Sequence, residues 1–154
     1  MTTWQQFTEE APDLADAVRA RLTAHKHHVL ATLRADGSPR VSGTEVETFM
    51  GMLVLGSMPN ARKVLDLRRD PRYSLHSNPG HHTMDGGDAK ISGRARELLG
   101  AEKRAIRDCY PDDPGGDAQF FALDIESVVL TTVSADKLHV DLWRPGAGVV
   151  RRSR

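Results

Sequence analysis

Between residues 29 and 57 the chain is broken twice by connections too short to carry a crossover. VLATLR is followed by Ala35-Asp36-Gly37-Ser38-Pro39, then RVSGTEVETF, then Met50-Gly51, then MLVLGS. Parallel neighbours need a connection of a dozen residues or more, so these segments pair only as antiparallel hairpins. Asp36-Gly37 supplies the positive φ that a tight turn needs, and Pro39 ends the turn. Residues 29–57 therefore read as a three-strand meander. In its third strand both faces are apolar up to Gly56, the pattern of a strand buried on both sides. Met52 to Leu55 then need covering on both faces.

The rest of the chain adds short helices and further strands. Residues 11–24 read as a helix. Pro12 suits its first turn, Asp13 complements the dipole, and Leu14, Val18 and Leu22 make one apolar stripe. Trp4 and Phe7 form an amphipathic lead-in. Residues 60–69 read as a helix N-capped by Asn60 and stopped by Asp70-Pro71. Residues 73–77 and 89–98 read as strands around a Gly-rich loop. The face Ile91-Gly93-Ala95 is small, and Gly93 marks a bulge or a close approach by another group, a bound ring included. A helix over 101–110 ends at Pro111 and leads into an acidic, Gly-rich loop. FFALDIESVVLTTV reads as two strands joined near Glu126-Ser127. LHVDLW alternates, with Leu138, Val140 and Leu142 on one face and His139, Asp141 and Trp143 on the other. RPGAGVVRRSR is a basic tail. This order favours a mainly β (α+β) chain, a closed or split antiparallel β-barrel with short flanking helices, over a doubly wound sheet. Without a repeat or linker, residues 1–154 read as one domain.

Composition narrows the partners. Lys+Arg 21 balance Asp+Glu 21 in 154 residues, which argues against nucleic-acid or membrane-surface binding, since either needs a basic footprint. Cys109 is the only cysteine, so neither an intrachain disulfide nor a cysteine-based zinc cage is available. The start carries acids and no apolar run, and the stretch Met50 to Gly56 is too short to span a bilayer. A cytoplasmic location without a membrane partner is the expectation. The histidines gather as His25, His27, His28 and as His81, His82, at a helix-to-strand junction and in a loop. They read as surface groups and no metal site is expected. His76 reads as a satisfied, buried histidine.

The segment VLGSMPNARKVLDLRRDPR, residues 54–72, carries the chemistry. A buried strand runs into a helix whose first turn presents unpaired N–H groups and the positive dipole end, a place for an anion. Arg62 and Lys63 lie in that turn, where cations oppose the dipole. A bound phosphate removes the conflict. The competing reading is a solvated basic face continued by Arg68 and Arg69.

ATLRADGSPRVSG, LGSMPNARKVLDLRRDPRYSLH and DAKISGRARE, in that order, resemble the pyridoxamine 5′-phosphate oxidase-like flavin-binding split barrels over roughly residues 25–145. The resemblance implies a six-stranded antiparallel split barrel that forms a homodimer with FMN in clefts at the subunit interface. It implies an oxidoreductase that moves hydride or electrons to or from a small organic substrate. Arg62 and Lys63 take the place of the basic pair that holds the cofactor phosphate. Leu55, Gly56 and Ser57 take the place of the strand that supplies backbone and hydroxyl contacts. Arg40, Val41, Ser42, Gly43 and Thr44 fall on the strand that lines the ring, with a register uncertain by about one residue. Trp143 takes the place of a late tryptophan that touches the cofactor. The arginine and histidine pattern of the oxidase's substrate-binding end is missing after Trp143, so oxidation of pyridoxamine phosphate is not implied. The deazaflavin F420 is the alternative cofactor, through a reductase of the same fold. A non-catalytic flavin, deazaflavin or haem-binding module is the alternative function.

Overall fold

The hairpin-length turns fold as expected and close into a barrel. The computed structural model describes residues 2–154. Two helices, α1 (Trp4–Glu10) and α2 (Pro12–Ala24), lead into the meander β1 (His28–Leu33), β2 (Pro39–Phe49) and β3 (Met52–Ser57). Then follow α3 (Arg62–Arg69), β4 (Arg72–His76), β5 (Asp88–Glu97), α4 (Gly100–Cys109), β6 (Gln119–Ser134), β7 (Lys137–Arg144) and β8 (Gly148–Ser153). The sheet order is β3-β2-β1-β4-β5-β6-β7-β8, and β3 also pairs with β6. That last pairing closes a six-stranded antiparallel barrel, with β7 and β8 as two added strands. Four short helices flank it, so the fold is mainly β of the α+β kind.

The lead-in around Trp4 is a true helix. Thr3 and Gln6 form its capping box, which satisfies two donors at the helix start. Phe7 reaches the barrel and packs on Trp143 with ring centroids 4.7 Å apart. Leu14, Val18 and Leu22 of α2 join the same core as Leu30, Leu55, Leu75, Ile91 and Leu123. The other apolar face of β3 is covered within the same chain. Val54 packs in a second cluster with Leu98, Ile106 and Phe120, under α4. That face therefore does not call for a second subunit.

Four details differ from the sequence expectations. Residues 119–134 form one strand, not two. The irregularity lies in its register: Ser92 pairs with Ser127 and Gly93 with Ile125, so Glu126 is the extra residue of a bulge. A Cβ on Gly93 would stand 1.9 Å from the carbonyl oxygen of Asp124. The close approach is by the neighbouring backbone, and Ala95 is buried in the core, so this face offers no room to a ring. Second, the inward face of β7 is the Asp141 and Trp143 face, while Leu138, Val140 and Leu142 are only half-buried. Third, the basic tail is strand β8, paired along β7 and exposed throughout. Fourth, His28 is buried, not superficial. Its Nε2 bonds the Leu22 carbonyl and its Nδ1 accepts the Asn78 N–H. Burial, followed by the charges of His25 and His27, lowers its pKa against the carbonyl bonds that raise it. No helix among the described residues is long and apolar enough to cross a membrane.

Candidate functional site

The chain from Ser57 to Arg62 turns by an unexpected route. Asn60 does not cap α3. It adopts φ 57°, which asparagine tolerates better than most residues, and its N–H donates to Gln119 Oε1 at 2.8 Å. Ala61 stands at the N-cap and brings no capping side chain. The positive end of α3 is thus left without a capping side chain, and Arg62 and Lys63 are its first two residues.

A buried carboxylate fixes the direction of this helix. Asp66 is 2% exposed and accepts from Thr32 Oγ1 at 2.8 Å, Arg40 Nε at 2.6 Å and Arg69 at 2.8 Å. Its burial would raise its pKa, but the bonds from Arg40, Thr32 and Arg69 outweigh that and hold it below the usual carboxylate range. Arg40 of β2 and Thr32 of β1 therefore bolt α3 to the barrel wall. Arg68 pairs with Glu97. Among the described residues Arg62 pairs with no carboxylate, and its side chain is exposed.

In front of the α3 N-terminus lies a cleft of about 520 Å³, within the ~300–1,000 Å³ of ordinary small-molecule sites. It is lined by Gly43, Thr44 and Glu45 of β2, Gly56 and Ser57 of β3, Ala61 at the N-cap and Lys63 of α3. Tyr110, the loop from Pro111 to Pro114, and Phe120 line it beside Gly56, and Lys26 and His27 complete the rim. Lys63 donates from Nζ to the Gly43 carbonyl at 2.9 Å. Burial lowers its pKa and the nearby Glu45 partly restores it. A neutral carbonyl is a weak partner for an ammonium, so an anion arriving here strengthens the contact. Thr44 is 3% exposed and its Oγ1 has no hydrogen-bond partner. A buried hydroxyl left unpaired costs about 1–3 kcal/mol, and this one belongs to a residue of the cleft wall.

Five of the residues singled out in the sequence meet here: Gly43, Thr44, Gly56, Ser57 and Lys63. Arg62 stands on the same helical turn, facing solvent. The others are elsewhere. Arg40 is engaged by Asp66. Ser42 is half-buried on the strand opposite Leu30. Val41 points outward and is 70% exposed. Leu55 is fully buried in the barrel core. Trp143 is 0% exposed and packs on Phe7, so no edge of its ring is open to a ligand. Sequence reasoning missed Tyr110, Phe120, Lys26 and Asp66. The first two reach the cleft only through the β3–β6 closure, which no local pattern announces. Asp66 had a signal, an acid within a run of basic residues on the apolar side of α3. Among the described residues, no three His, Cys, Asp or Glu side chains gather as a metal site.

A family model described as pyridoxamine 5′-phosphate oxidase matches residues 14–130. No curated protein matches the chain. Among solved structures, the chain is similar to a pyridoxamine 5′-phosphate oxidase-related, FMN binding protein from Nostoc punctiforme PCC 73102. The TM-score is 0.67 at 12% identity, over 93% of this chain and 95% of that one. It is similar to PhzG from Burkholderia lata 383, solved with tetrahydrophenazine-1-carboxylic acid, with TM-score 0.61 at 14% identity over 94% and 92% of the two chains. It is also similar to a heme binding protein from Mycobacterium smegmatis, with TM-score 0.55 at 21% identity. That match covers 89% of this chain but only 57% of the other. At these identities the structural likeness carries the fold alone.

Proposed function

The chain belongs to the pyridoxamine 5′-phosphate oxidase family, and on that premise we propose that it is an FMN-dependent oxidoreductase whose cofactor lies in the cleft before α3. The carrying observation is an uncapped helix N-terminus bearing Arg62 and Lys63 at the edge of a cleft whose wall includes Lys63, Gly43, Thr44, Gly56 and Ser57. Those groups fit a phosphorylated, polyhydroxylated ligand. Lys63 leaves the Gly43 carbonyl for the phosphate, Arg62 swings in from solvent, and the N–H groups of the first turn face the same anion. Ser57 supplies a hydroxyl to the polar chain of the ligand. FMN, when bound, supplies hydride and single-electron chemistry, while the protein binds it, orients it and limits water. The substrate is a small organic molecule admitted on the open side of the cleft.

The outer barrel face supports a homodimer. Aliphatic side chains stand half-exposed or exposed there in two groups, Val29, Ala31 and Val41 on β1 and β2, and Val129, Val140, Leu142 and Val150 on β6, β7 and β8, with β4 and β5 between them. A second copy seated over either group buries aliphatic surface that one chain leaves in water. Sedimentation giving only monomer at micromolar concentration removes this part of the proposal.

One observation favours a second reading, haem binding without turnover. His27 lies on the cleft rim with Nε2 3.1 Å from Glu45, a carboxylate–imidazole pair of the kind that orients metal ligands. The discriminating experiment is the absorption spectrum of the purified protein, followed by titration with FMN, F420 and haem in parallel. Tight FMN binding is the expected result. Saturable binding of haem alone overturns the flavin assignment, and binding of F420 alone replaces the cofactor but keeps the site.

A further inference from the structure

The chain has two tyrosines, and they are treated differently. Tyr73 is buried and its hydroxyl donates to the Asp124 carbonyl at 2.9 Å. Tyr110 follows the last residue of α4, where its N–H donates to the Arg107 carbonyl. Its ring is held edge-on by Phe49 at 4.8 Å and flanked by Phe120 at 5.4 Å. The hydroxyl extends over the bare backbone of Gly56, 3.1 Å from where a Cβ would stand. A side chain at position 56 would crowd the phenol, so Gly56 makes its place. Unlike Tyr73, the Tyr110 hydroxyl makes no hydrogen bond among the described residues, and it lines the cleft beside Ser57 and Lys63. A phenol braced by two aromatic rings and left without a protein acceptor is set to donate to something that enters the cleft.

We propose that Tyr110 is a ligand-contacting residue of the cleft, its hydroxyl donating a hydrogen bond to an acceptor atom of the bound cofactor. The proposal rests on the cofactor reading above. Burial, and after it Glu47 and Glu45, push the phenol up to about 12, so it holds its proton throughout the neutral range and serves as a donor. It lines the same cleft as Lys63, so one ligand meets both.

The test is Tyr110→Phe, with FMN as the probe. The substitution keeps the ring and removes only a hydroxyl with no bond in the protein. The melting temperature without ligand should stay unchanged. FMN affinity should fall about five- to tenfold, the equivalent of one neutral hydrogen bond, and the absorption band of bound FMN should shift. If affinity and spectrum match those of the unaltered protein, Tyr110 does not touch the cofactor and the inference is overturned while the cofactor reading stands. If the ligand-free protein loses stability in step with affinity, the role is structural and the inference is again overturned. If the unaltered protein binds no FMN, the cofactor reading fails and the inference falls with it.

Discussion

At the scale of residues, the account turns on two cations that form no ion pair in the fold. Arg62 and Lys63 sit at the helix end where positive charge opposes the dipole, and neither is paired with a carboxylate among the described residues. Replacing both by alanine should weaken FMN binding a hundredfold or more, at about 1.5–3 kcal/mol for each charge-assisted contact. Circular dichroism and melting should remain those of the unaltered protein. The control is Arg68→Ala on the same helix. Its guanidinium pairs with Glu97, and FMN affinity should stay within about twofold, as expected of a half-exposed ion pair remote from the site. Calorimetric titration of the two variants at one ionic strength checks both. Loss of binding in Arg68→Ala with retention in the double variant would place the anion at the wrong end of α3. Arg69 is unsuitable as a control because it also bonds Asp66 and the Leu33 carbonyl.

At the scale of elements, α3 is positioned by its middle. Asp66 gathers Thr32, Arg40 and Arg69, so the strand expected to line the cofactor contributes Arg40 to the helix clamp. Asp66→Asn removes a buried charge and leaves two guanidinium groups facing a weaker acceptor. Breaking a buried pair costs about 3–5 kcal/mol, and the lower end applies because Arg40 and Arg69 keep some access to water. Melting should drop by roughly 10 °C. The clamp also sets an acid limit. The folded-state pKa of Asp66 lies below its unfolded value, so its contribution is fully present above the ordinary carboxylate range. That contribution is lost as pH falls through the depressed value. Urea denaturation from pH 7 down to pH 3 should show a steeper decline in the unaltered protein than in Asp66→Asn. Equal slopes would mean that the carboxylate is not held as the geometry indicates. Much of this level was legible in the sequence. The hairpins of 29–57 and the α3 segment follow from turn residues and apolar spacing. The break near Glu126 was legible only as a disturbance. Its cause is a bulge facing Gly93, which depends on a partner strand more than thirty residues away.

At the scale of the whole molecule, closure of β3 on β6 creates the site. It carries Tyr110 and Phe120 to a wall whose other half, Gly43 to Lys63, is built from residues adjacent in sequence. That is why the β2, β3 and α3 half of the cleft was legible and the α4 half was not. Trp143 of β7 fills the core against Phe7, and the aliphatic side of β7 faces out. The central claim is that this cleft selects a ligand by its phosphate. The most direct measurement compares FMN with riboflavin, which has the same ring and polyol but no phosphate, by fluorescence titration at fixed ionic strength. FMN should bind at least a hundredfold more tightly, and raising the salt concentration should narrow the gap, because the difference is carried by charge. Equal affinity for the two would contradict the account, whatever the fold.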